Sequence, residues 1–226
     1  MKRASDHFTA EQRRRIEQAI TQAEQKTAAE IVVVVATRSG RCDRAEDVFG
    51  LLLALIAVAA AWVLFQGLQP SSAPWIAGHE LTLGLLPVLL LFALWWLVGV
   101  ALASRFPALA RPFASRGRFE AEVRRRGFEA FYLCRVSNTR QRHGVLVFVS
   151  LFEHMALISG DEAINAAIPS ETWSAATRAI ADAAKRGEHE QGIIRAVELV
   201  GEALAPRFPK DPADQDELPN VVHFLD

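Results

Sequence analysis

The plainest chemistry in this chain lies in its carboxylates. Asp43, Glu46 and Asp47 fall just past the stretch EIVVVVA, and Glu153 falls just past VLVFVSL. If both stretches are strands of one sheet, these oxygens share the rim beyond the strands' carboxyl ends, where open sheets collect ligands. Asp43, Asp47 and Glu153 are therefore candidate ligands for calcium or magnesium, hard cations that take oxygen donors. Their spacing is not the D-x-[DN]-x-[DN]-G of a calcium loop, so the same charges also suit a plain solvated turn. Asp161, in ISGDEAI, is the alternative metal carboxylate; its simpler role is that of an acid at a helix N-terminus. It is expected at the opposite end of the sheet from Asp43, so a single ion cannot use both.

Other chemistries find no pattern. Ser39 and Ser159 have no evident His and Asp partners, and the six histidines (7, 79, 143, 154, 189, 223) contain no H-E-x-x-H. Cys42 and Cys134 form no C-x-x-C, which argues against cysteine-held zinc. Neither G-x-x-x-x-G-K-[ST] nor G-x-G-x-x-G occurs, so nucleotide binding has no support and no catalytic residue emerges.

The elements that must position these groups can be read from periodicity. Thr9 and Gln12 have capping-box spacing, and Ile16, Ala19, Ile20 and Ala23 then mark one helical face. Residues 30–36, with four consecutive valines, read as a strand buried on both faces, which needs neighbours on both sides. Residues 118–136 read as a helix, with Phe119, Val123, Phe131 and Tyr132 as expected core contacts. Residues 145–151 form a second strand, expected parallel to the first. The tight Phe152-Glu153-His154 link predicts an antiparallel third strand over 155–159. Helices follow from Asp161, from Ser170 and from Gln191, with Gly187 separating the last two. Helices on both faces of a small mixed sheet predict a three-layer α/β sandwich.

Two runs interrupt this domain. Residues 48–65 and 81–103 hold no charged side chain over 18 and 23 positions. Each matches the ~20 residues that cross a ~30 Å hydrocarbon core. They are expected to form a two-helix transmembrane hairpin, with residues 66–80 as an external loop. Residues 1–47 and 104–226 carry all 25 Lys and Arg of the chain, and the loop carries none. The positive-inside rule then puts both termini on the cytoplasmic side of the membrane. The 226 residues have a net charge of −1, so no global basic field argues for nucleic acid. The balance is nevertheless uneven. Residues 104–142 hold ten Lys/Arg against three acids. Arg105, Arg111, Arg116, Arg118, Arg124, Arg125 and Arg126 are the expected contacts to anionic headgroups, at roughly 1 kcal/mol each near the surface. The domain is thus read as residues 1–47 plus 104–209, with 210–226 as an acidic, proline-containing tail; the stretch from Pro206 to Asp216 is expected to be loose.

The stretch FTAEQRRRIEQAITQAEQKTAAEIVVVVATRSG, followed by HGVLVFVSL, ISGDEAI, ETW and DELPN, resembles the TPM domain family, in its bacterial membrane branch with two spans inserted after the first strand. The resemblance implies a compact α/β/α sandwich. It also implies a choice of roles: an accessory, assembly or quality-control factor that binds a partner protein at the membrane, or a membrane-anchored, metal-dependent phosphatase-like hydrolase. With bare anchor spans and no catalytic constellation, the expectation is the first, with lipid bilayer and a protein as partners.

Overall fold

The computed structural model describes residues 3–40, 43–66, 84–113, 115–210 and 217–226. Apart from Gln66, the expected external loop lies outside these residues, as do Arg41 and Cys42. In chain order the helices are α1 (Ala10–Glu24), α2 (Asp43–Gln66), α3 (Leu85–Arg105), α4 (Pro107–Ala110), α5 (Arg116–Leu133), α6 (Glu162–Ala167), α7 (Ser170–Arg186) and α8 (His189–Leu204). The strands are β1 (Glu30–Ala36), β2 (Gly144–Ser150), β3 (Met155–Gly160) and β4 (Val222–Leu225). The chain divides into a helical unit, Arg41–Arg116, and an α/β unit made of Lys2–Gly40 and Gly117–Asp226.

The α/β unit is built on a mixed sheet of order β3-β2-β1-β4. β1 pairs in parallel with both β2 and β4, and β2 pairs antiparallel with β3. Every residue of β1 is buried, as its valine run requires. Ile31, Val33 and Val35 pack with Ile16 and Ile20 of α1, Ile180 of α7 and Val197 and Val200 of α8. Val32, Val34 and Ala36 pack with Val123, Ala130 and Phe131 of α5. Helices therefore cover both faces, and the three-layer α/β sandwich expected from the sequence is the observed fold.

Local signals work as read. The Thr9 hydroxyl accepts from the Gln12 N–H at 3.2 Å while Gln12 Oε1 accepts from the Thr9 N–H at 2.9 Å, closing the capping box of α1. Gly187 ends α7 at φ 77°, the left-handed position that glycine takes without steric cost.

Two expectations are corrected. Tyr132 is 74% exposed. The inward stripe of α5 is Val123, Gly127, Ala130 and Phe131, and the next residue turns a further ~100° off that face. The segment read as a tail outside the domain also contributes to the fold. Val222–Leu225 is β4, and Glu30 holds its approach, with Oε1 and Oε2 accepting from the Glu217 and Leu218 N–H groups at 3.0 and 3.3 Å.

In the helical unit, α2 and α3 pack through glycine. A Cβ on Gly99 would stand 2.6 Å from Gly50 Cα. Ala54 and Ala103, each one turn beyond these glycines, are fully buried. Small residues at four-residue spacing allow such a close approach between apolar helices. Ala45–Leu64 and Leu85–Arg105 are long and apolar enough to cross a membrane. Only 11% and 6% of these windows are buried. The helices outrun the uncharged stretches read from the sequence. The first window takes in Glu46 and Asp47, and buried Glu46 accepts a hydrogen bond from Ser104 Oγ on α3.

Candidate functional site

The carboxyl-end rim of the sheet is the better-built of its two ends. Parallel pairing places Ala36 beside Ser150. The chain then continues the ladder past the strands, with the Leu151 and Phe152 N–H groups donating to the Ala36 and Thr37 carbonyls at 3.0 and 3.1 Å. Ser39, Ser150 and Glu153 converge there, all buried. The Ser39 N–H donates to Glu153 Oε1 at 3.0 Å, Ser39 Oγ donates to Ser150 Oγ at 2.8 Å, and Ser150 Oγ donates to Glu153 Oε2. Both carboxylate oxygens therefore have partners inside the fold. A buried carboxylate satisfied in this way stabilises two loop ends.

The other candidate carboxylates belong to other elements. Asp43 and Asp47 belong to the first turns of α2, in the helical unit, and the Asp43 side chain is outside the described residues. Among the described residues no three His, Cys, Asp or Glu side chains gather as a metal group.

Asp161 occupies the N-cap position of α6, at the amino-terminal end of β2, the end opposite Glu153. Its side chain makes no capping bond, and Oδ2 is buried without a partner. Burial raises its pKa, against the opposing effects of the Gly144 backbone, Arg142 and His143. An acid whose pKa rises on folding stabilises the fold while protonated, and that contribution is lost as pH climbs through the raised value. Asp161→Asn should therefore make the melting temperature at pH 7 minus that at pH 4 more positive than in the unaltered chain. A gap of unchanged size would refute this account.

Of the expected headgroup contacts, Arg116, Arg118, Arg124 and Arg125 are exposed along α5, whereas Arg126 is half-buried. Arg125 pairs with Glu122 at 2.9 Å and also with Glu129, and Arg126 pairs with Glu129 at 2.9 Å. Arg105 lies in the last turn of α3, and the Arg111 side chain is outside the described residues.

Sequence reasoning missed one grouping. His7, from a 3-10 turn, and His154, from the β2–β3 turn, both set their rings edge-on to His189, the first residue of α8. No spacing in the sequence marks these three as neighbours.

The family model described as the TPM domain matches residues 118–203. The NMR structure of BA42 protein from the psychrophilic bacterium Bizionia argentinensis superposes with a TM-score of 0.54 at 22% identity, covering 96% of this chain and 94% of that one. At that identity the likeness speaks for the fold. No curated protein sequence matches. The resemblance read from the sequence is thus borne out over residues 118–203.

Proposed function

Taking residues 118–203 as a TPM domain, we propose that the chain is an integral protein of the bacterial cytoplasmic membrane, whose α/β unit acts without catalysis as an accessory or assembly factor. In this reading the unit holds a partner protein at the cytoplasmic surface, and the basic residues of α5 lie against anionic headgroups. One observation carries the proposal. The two apolar helices are inserted between β1 and its sheet partner β2, which are hydrogen-bonded along the full register from Glu30 to Ala36. A sheet assembled from both flanks of the insertion must lie on one side of the bilayer, which two spans satisfy. The lysines and arginines on both flanks favour the cytoplasm as that side. The internally satisfied Glu153, Ser150 and Ser39 favour this reading over a metal-dependent hydrolase.

The test combines topology with partner capture. A reporter fused after Asp226 should be active only in the cytoplasm. Cross-linking of the full chain in native membranes should recover the same protein in independent preparations. A periplasmic reporter overturns the orientation, and the lack of any reproducible cross-linked partner overturns the accessory role.

A further inference from the structure

Among the described residues of the α/β unit, the large apolar side chains that face solvent are Phe128, Tyr132, Leu133 and Val221. The first three sit together in the last two turns of α5, 46%, 74% and 70% exposed. Apolar side chains scattered singly over a surface are ordinary, whereas a cluster with a polar rim marks an interaction site. Phe128 and Tyr132 stand four residues apart and so share one face of the helix, turned away from the inward stripe that packs on the sheet. The connection from α5 to β2 supplies the rim. Arg135, Arg140 and Arg142 are exposed there, with no acid between them in the chain. None of the three guanidinium groups forms an ion pair with another described residue. Glu217 approaches this connection, but it accepts from the Arg140 backbone N–H at 2.9 Å. Arg135 and Arg142 also hold left-handed backbone, φ 54° at each. A side chain beyond Cβ adopts that region only at a cost, which glycine avoids. Arginine at both positions is therefore a retained strain, and strain of this kind gathers at binding sites.

We propose that the C-terminal end of α5 and the connection after it form the surface on which the α/β unit holds its partner protein, and that the partner presents an acidic segment carrying apolar side chains. This inference rests on the accessory reading above and adds the place and the chemistry of the contact. Aromatic residues and arginine are the types enriched in protein interfaces and among their most costly positions. Phe128, Tyr132 and Leu133 offer the apolar area, and the three arginines offer planar forks that pair with carboxylates. A lipid surface fits this end of α5 less well. The chain leaves the unit after Gly40 and returns at Gly117, and a Cβ on Gly40 would stand 2.6 Å from Glu122 Oε2. Both connections to the apolar helices therefore lie beside the start of α5. Tyr132 is ten residues past Glu122, about 15 Å further along the helix axis. The expected headgroup contacts Arg116 and Arg118 belong to the near end, and the exposed aromatic residues to the far one.

The test uses benzoylphenylalanine, a photoreactive aromatic residue, in place of Tyr132 in the full chain in native membranes. The same residue in place of Arg178, exposed on α7 in the opposite helical layer, is the control. The Tyr132 position should cross-link to one protein in independent preparations, and the Arg178 position should not. Mass spectrometry of the adduct should map it to a segment with more Asp and Glu than Lys and Arg, together with apolar residues. Arg135→Gly combined with Arg142→Gly should lower the yield about fivefold or more. Glycine takes φ 54° freely, so this variant should keep its melting temperature and its lost yield reports the missing side chains. Adducts to lipid alone, to a second copy of this chain, or to a segment without net negative charge overturn the proposal. So does a yield that the double glycine variant leaves unchanged. A partner captured at Arg178 as readily as at Tyr132, or instead of it, overturns this surface and leaves the accessory reading standing; no partner at either position overturns both.

Discussion

Removing residues 211–226 should unfold the α/β unit rather than trim it. The deletion takes away β4, which pairs in parallel with Val33–Ala36 of β1. It also removes Val222, 8% exposed, and the half-buried Leu218, Phe224 and Leu225. At ~1.5–3 kcal/mol for each fully buried side chain, and less for these partly covered ones, the loss is still on the order of 5 kcal/mol. Phe224 also packs on Phe8 with ring centroids 5.9 Å apart and lies 4.7 Å beneath the Arg13 guanidinium. The Asp226 carboxylate accepts from Ser5 Oγ at 2.8 Å and from Thr37 Oγ1 at 3.3 Å, bonds that hold its pKa below the usual carboxylate range. The total approaches the whole stability of a typical domain, about 5–15 kcal/mol. What remains is a β1 whose outer edge is bare from Val33 to Ala36, four apolar residues open to pairing with another chain. The expected outcome in detergent is aggregation, or loss of the cooperative melting transition. A truncated chain that melts within about 2 °C of the full one, less than 1 kcal/mol for a unit of this size, would show that β4 is dispensable.

That expectation could not have been drawn from the sequence, and the reason is physical. β1, β2 and the helices of the C-terminal half were legible because each carries its own signal: four valines in a row, VLVFVS, an apolar stripe at helical spacing. β4 carries little. It has four residues with a histidine among them, it follows an acidic proline-rich stretch, and it becomes a strand only because β1 offers an edge. The clasp that guides it there, Glu30 to the Glu217 and Leu218 N–H groups, spans 187 and 188 positions, beyond any local pattern. The rim of Ser39, Ser150 and Glu153 was half legible. Parallel strands predict that their carboxyl ends meet, and Glu153 was singled out on that ground. Its two hydroxyl and amide partners could be seen only once the register was known. The histidine grouping was wholly illegible, because it depends on how a turn, a β-turn and a helix start are stacked in space.

Glu153→Ala should be the most costly single substitution at the rim, and its contrast with Glu153→Gln identifies what the carboxylate does. Alanine leaves the Ser39 N–H and the Ser150 hydroxyl buried without their acceptor. Each orphaned group costs about 1–3 kcal/mol, so the loss should be roughly 3–5 kcal/mol. For a unit of this size that corresponds to a melting temperature lower by about 10 °C. Glutamine keeps one oxygen for the Ser39 N–H and presents an amide donor to Ser150 Oγ. Ser150 can then turn its proton toward Ser39 Oγ, 2.8 Å away, reversing that hydrogen bond without breaking it. The glutamine variant should therefore lose only about 1 kcal/mol, the worth of a typical hydrogen bond. The pair also separates the structural role from the metal-ligand role, since an amide holds calcium or magnesium far less well than a carboxylate does. If Glu153 serves the fold, Gln keeps nearly the full melting temperature and neither ion shifts either protein. If it serves a cation, added calcium or magnesium raises the melting temperature of the unaltered chain, and the Gln variant loses that increment while its metal-free stability is unchanged. A small effect of Ala, under about 1 kcal/mol, would mean that water replaces the carboxylate and that the rim is not the closed arrangement described.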